Sequence, residues 1–200
     1  MFKKAIFISA ALVFALAVLI TSVWRTAAKT CLPTVQAQEE AEVLSATPAA
    51  EVREKVDYYL PYPGILPDHF LYPVKMIRDK LLVFFTTEPL KRAELFLLFA
   101  DKRIGAAKSL IEGGKQELGI TTLTKAEKYL EKAVSQERLA YEKGKETRSF
   151  LEKLAKASLK HEELLLEVKE KVGESAQGII DDVLSYPRRA YEQTVEILEK

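Results

Sequence analysis

The chain is poor in the residues that most often carry chemistry. Among 200 residues there is one cysteine, Cys31, and there are two histidines, His69 and His161. A single cysteine excludes an internal disulfide, a thiolate metal cluster and a C-x-x-C redox pair. Two histidines in unrelated contexts give no basis for a Ser/His/Asp arrangement. There is no strand-type alternation and no Asn-Gly hairpin signal, which argues against a sheet. Acidic residues are missing from residues 1–37, whose only charges are Lys3, Lys4, Arg25 and Lys29. The remainder holds 26 of the 30 basic residues and all 29 acids, a net charge of −3. That balance does not favour nucleic acid, which requires a concentrated basic face.

What is present begins with a membrane signal. After MFKK, the run from Ala5 to Trp24 carries no charge and Arg25 ends it. About 20 apolar-leaning residues suffice to span a bilayer core as a helix. Trp24 and Arg25 suit an interfacial position. Val35-Gln36-Ala37 offers small residues where a signal peptidase would read them, so secretion after cleavage following Ala37 is the alternative. The stretch from Arg25 to Ala37 is long for a signal tail and favours a retained single-pass anchor. Both readings place residues beyond about 38 outside the cytoplasmic membrane. Cys31 follows Ala28-Lys29-Thr30, unlike a lipidation site, and reads as a membrane-proximal thiol. Residues 1–28 are thus an anchor or signal peptide. Residues 29–55, rich in Ala, Glu, Thr and Pro without an apolar period, read as a flexible linker.

Beyond Pro73 the apolar spacing is helical. Val74, Ile77, Leu81 and Phe84 or Phe85 recur at three and four. Met76, Leu82 and Val83 make that segment apolar on more than one side, which predicts a central helix. Thr87 reads as a cap before Pro89. Leu90, Ala93, Leu97, Ala100, Ile104, Ala107 and Ile111 form the next stripe, widened by Phe96 and Phe99, and Gly113-Gly114 ends it. A third helix begins near Leu118 or Thr122 and buries Leu123, Ala126, Leu130, Ala133, Val134, Ala140 and Tyr141. Gly144 ends it and Thr147 caps the next. Leu151, Leu154, Ser158, His161, Leu165, Val168 and Val172 make a seam of coiled-coil type with two polar members. After Gly173 come Ile179, Ile180, Val183 and Leu184, an interruption at Pro187, and then Tyr191, Val195 and Leu198. AEKYLEKAV (126–134) looks like part of a tetratricopeptide helix, but no 34-residue repeat accompanies it. The fold expected is all-α: an elongated antiparallel bundle of about five helices over residues 56–200.

The least generic stretch is YYLPYPGILPDHFLYPVKMIRDK, residues 58–80. Its prolines impose extended backbone, and Pro63-Gly64 signals a type II turn. Residues 56–72 therefore read as a stiff strap, expected to lie across the LLVFF and LFLLF helices and bury its rings there. In the functional alternative, those rings stay exposed and grip a partner.

LPDHFLYPVKMIRD (66–79), EPLKRAEL (88–95) and ADKRI (100–104) resemble a bacterial family of domains of unknown function. That family carries a Pro-Gly-x-Leu-Pro-Asp segment and a Leu-Tyr-Pro-x-Lys helix start. The resemblance covers residues 58–115 well and the later helices loosely. It implies a helical, secreted or membrane-anchored domain and brings no established activity.

His161-Glu162-Glu163 lacks the second histidine of a zincin helix, since Leu165 stands four residues on, and lacks the Glu-x-x-His of a di-iron bundle, since Ser158 stands three before. Asp181-Asp182 point about 100° apart and do not converge. Glu127-Lys128 and Glu131-Lys132 read as solvated faces. The sequence thus points to no catalytic residue, cofactor or metal. It suggests a non-enzymatic cell-envelope interaction or scaffold module, anchored in the membrane, with an envelope protein partner and room for homo-oligomers. Tyr58, Tyr59, Tyr62, Phe70, Tyr186 and Tyr191 are the candidate contacts. The second reading is a ligand- or metal-binding bundle using His161 and Glu162.

Overall fold

In a computed structural model, residues 55–199 are described, and five helices account for most of them. The expected anchor or signal segment and nearly all of the expected linker lie outside the described residues. The helices are α1 (Tyr72–Phe85), α2 (Pro89–Glu112), α3 (Gln116–Glu142), α4 (Arg148–Lys171) and α5 (Glu174–Leu198). No strand occurs among the described residues. The fold is all-α, as the sequence predicts. The four long helices pack together, α2 most extensively on α3 and α4 on α5.

Turn chemistry sets the connections. Gly114 takes φ 77° between α2 and α3, a conformation that costs glycine little. Lys115 N–H then bonds back to the Leu110 carbonyl at 2.8 Å. Gly119, early in α3, lies so close to α2 that an added Cβ would sit 2.4 Å from Ile111 Cγ1. The α2–α3 crossing therefore depends on its missing side chain.

The predicted stripes form the core. Leu97, Ile104, Leu123, Leu130, Leu154, Leu165 and Ile180 are almost fully buried. Every member of the α4 seam is buried, His161 and Ser158 included. The core has two apolar layers. One gathers Ala93, Phe96, Leu97, Phe99, Ala100, Leu130, Phe150 and Leu154. The other gathers Ile104, Ile111, Leu123, Leu164, Leu165, Val168, Ile180 and Leu184. Between these levels, α2 supplies Asp101, α3 supplies Glu127 and α4 supplies His161, all buried.

Several expectations are corrected. α1 is peripheral and not central: its one buried residue is Asp79. Phe84 and Phe85 are about three-quarters exposed, and Val74, Ile77, Leu81 and Leu82 are exposed too. The strap consequently does not cover the LLVFF segment. Leu60 packs against the core layer that contains Ile104 and Leu164, and Pro63 lies on Gly105 of α2. Pro187 does not interrupt α5. It removes one helical hydrogen bond, but it sits on the buried face in line with Val183, Ala190 and Thr194, so packing carries the helix through. Glu88, not Thr87, precedes α2 as its cap residue, and α3 starts at Gln116. Glu127 is fully buried and not solvated. Tyr141 and Ile179 are exposed, not buried.

Candidate functional site

The buried polar layer is built around one imidazole. His161 Nδ1 lies 2.8 Å from Glu127 Oε1, and its Nε2 lies 3.1 Å from Asp101 Oδ1. The other Asp101 oxygen accepts a 2.7 Å bond from the Tyr58 hydroxyl. Four elements (strap, α2, α3 and α4) thus meet in one chain of hydrogen bonds. Burial alone would drive His161 towards neutrality, but the charges and hydrogen bonds of Glu127 and Asp101 outweigh it and raise its pKa to about 9. The imidazolium can donate to both carboxylates at once. Burial, together with Asp101, raises the Tyr58 hydroxyl and keeps it a donor. The two carboxylates address opposite ring nitrogens, so they share no point where an ion could sit. Among the described residues no group of three His, Cys, Asp or Glu side chains is placed to hold a metal ion. Glu162 turns away from His161 and binds Arg188 at 2.8 Å.

A second set of bonds fastens the strap and α1 to each other and to the long helices. Lys75 Nζ donates to the carbonyls of Pro63 (2.8 Å) and Ile65 (3.0 Å), closing the turn at Gly64. Asp68 pairs with Lys115 at 2.5 Å. The Val56 amide donates to Glu163 on α4 at 3.1 Å. Buried Asp79 faces Arg103 at 3.6 Å and is bonded by Arg78 at 2.8 Å. Arg103 also donates to the Phe99 carbonyl, contacts the Met76 sulfur, and lies 4.2 Å over the Tyr129 ring. Buried charges need such partners.

The polarity of α1 is therefore reversed. Tyr72, Met76, Asp79 and Val83 face the bundle or lie half-buried, while the apolar stripe faces outward. At about 100° per residue, Val74, Ile77, Leu81, Phe84 and Phe85 share one sector roughly 100° wide. Arg78 and Lys80, both exposed, border it on either side.

Of the predicted contact residues, Tyr59 (97 % exposed), Tyr62 (83 %) and Phe70 (80 %) are open to solvent on the strap that precedes α1. Phe70 stacks on His69. Tyr58 instead points inward to Asp101. Tyr186 and Tyr191 are half-buried on α5, apart in sequence from that surface. Tyr186 lies beside Arg189, in a small 240 Å³ groove with Glu131 and Gln193. A cavity of about 850 Å³ lies where the end of α3, the start of α4 and the end of α5 meet, and it holds none of the six. Buried Glu137 lines it, its carboxyl raised by burial and partly restored by Thr147. Sequence reasoning missed Asp79, Asp101, Glu127 and Arg103. The only available signal was charge beside the buried stripe: Asp101 follows Ala100, Arg103 precedes Ile104, and Glu127 follows Ala126.

No curated protein and no solved structure matches the chain significantly. Residues 64–175 match a family described as "Domain of unknown function (DUF5667)". The match takes in the second half of the strap, α1, the whole α2–α3 hairpin, α4, and with them Lys75, Asp79, Asp101, Arg103, Glu127 and His161. Covering more than half the sequence, it makes this chain a member of the DUF5667 family of domains of unknown function.

Proposed function

We propose that the chain is a non-catalytic helical interaction module of the cell envelope, carried outside the cytoplasmic membrane by its N-terminal segment. One observation carries this reading: α1 turns its one acid, Asp79, inward and shows its apolar stripe to solvent. An ordinary surface helix does the opposite. Exposed apolar surface of this extent marks an interaction site. The buried ion pairs of Asp79 and the tyrosine-anchored strap hold the stripe in place without covering it. Tyr59, Tyr62 and Phe70 add rings that combine apolar area with few rotatable bonds. His161 is occupied by its two carboxylates, which supports a structural role for the polar layer.

Photocross-linking in the native envelope tests the proposal. A benzophenone side chain replacing Phe84 should give adducts, whereas one at exposed Lys153 on α4 should give few. Equal labelling from both positions, or none from Phe84, would overturn it.

A further inference from the structure

The apolar stripe of α1 has a definite chemistry around it. Within the helix the exposed charges are both positive: Arg78 on one border, bonded to Asp79 yet more than half exposed, and Lys80 on the other. Lys75 lies half-buried beside them over the Tyr72 ring. The one acid, Asp79, is buried on the opposite side and neutralised by Arg78 and Arg103. An apolar sector of Val, Ile, Leu and Phe between two basic borders is the pattern of a helix lying in a membrane interface. Long basic side chains at such borders lay their stems on the apolar surface and reach the headgroups. Tyr59, Tyr62 and Phe70, exposed just before the helix, are the amphipathic and aromatic residues that settle at headgroup level.

The sequence also keeps a bilayer within reach. Between Arg25 and Lys55, the first described residue, lie about 30 residues, and a coil of that length spans about 30 Å root-mean-square. We propose that α1 is an interfacial helix that docks the bundle flat on an anionic bilayer surface, with Val74, Ile77, Leu81, Phe84 and Phe85 entering the headgroup–acyl boundary. This rests on the reading of α1 as a docking face and names its occupant. The fold suits it. Asp79, Lys75 and the strap fix α1 as a rigid ridge, so few residues need ordering on contact. A protein groove would need no basic border, whereas anionic headgroups complement it.

The test uses the full chain with Cys31→Ser and a nitroxide label on Phe84→Cys. It is reconstituted into vesicles of phosphatidylcholine and phosphatidylglycerol at 7:3. Collision with dissolved oxygen should rise at least threefold relative to collision with a water-soluble nickel chelate, compared with the same protein in detergent. Replacing Lys80 with Gln, or using phosphatidylcholine alone, should reduce that ratio. A label as open to the chelate in vesicles as in detergent overturns bilayer docking. If that label is instead immobilised and dipolar-broadened by a second label, the occupant is another copy of the chain, and only the docking reading survives. A label that is mobile and water-exposed both in vesicles and in native envelope fails both readings.

Discussion

At the scale of single residues, the molecule is organised by His161. A buried imidazole with a carboxylate on each nitrogen is stable as a cation, because the cation satisfies both acceptors. Its pKa in the fold, about 9, stands above the ordinary value near 6.5 of an unfolded chain. A raised pKa means that the native state holds the proton more tightly than the unfolded state does. The stability this supplies is fully present below pH about 6.5 and is lost as pH rises through about 9. Thermal melts should therefore show Tm falling between pH 7 and 9.5, and the His161→Gln variant should melt at a lower temperature with a flatter profile over that window. An unchanged slope in the variant would remove His161 from the account. Residues around it were only partly legible in the sequence. The α4 seam announced that position 161 is buried, because the three-four spacing runs through it. The one local sign of Glu127 was its place after Ala126; its neighbour Lys128 is exposed and its partner lies 34 positions away. A buried carboxylate and a solvated one look alike until the facing helix is in place.

At the scale of elements, α1 separates two kinds of apolar residue. Leu97 on α2 is 1 % exposed and Phe84 on α1 is 76 % exposed. Leu97→Ala should cost about 2–5 kcal/mol through lost contacts and a residual cavity. Phe84→Ser should change stability by less than about 0.5 kcal/mol, as surface substitutions do. Chemical denaturation of both variants decides it. A loss above 2 kcal/mol in Phe84→Ser would mean that α1 packs its stripe inward. The same helix shows where sequence reading stops. Its apolar residues occur on more than one side, which normally means burial from all directions. The structure resolves the ambiguity through Asp79: a carboxylate with a place on Arg103 turns its own face inward and sends the apolar sector out. The long helices were easier, since each has a single wide stripe and a glycine or short loop at its end. Pro187 was harder, because a proline that stays on the buried face leaves the stripe unbroken.

At the scale of the whole molecule, four contacts tie the strap and α1 to α2 and to the turn that follows it. Lys75 grips the turn of the Pro-Gly segment, Asp68 binds Lys115, Asp79 meets Arg103, and Asp101 receives Tyr58. These contacts fix one geometry: an apolar ridge held rigidly outside a bundle whose own core is complete without it. The chain's sequence adds a candidate membrane segment to the same molecule. Together they support the proposed reading, a domain that holds a ready-made contact surface near a membrane.

Hydroxyl-radical footprinting of the full chain, once in its native envelope and once purified in detergent, tests that description most directly. In the purified protein, Val74, Ile77, Leu81, Phe84 and Phe85 should react as exposed side chains, and Leu97, Leu130 and Leu165 should not. In the envelope the α1 stripe should become at least fivefold less reactive while exposed Leu139 on α3 stays the same. Equal reactivity of the stripe in both settings would contradict the account.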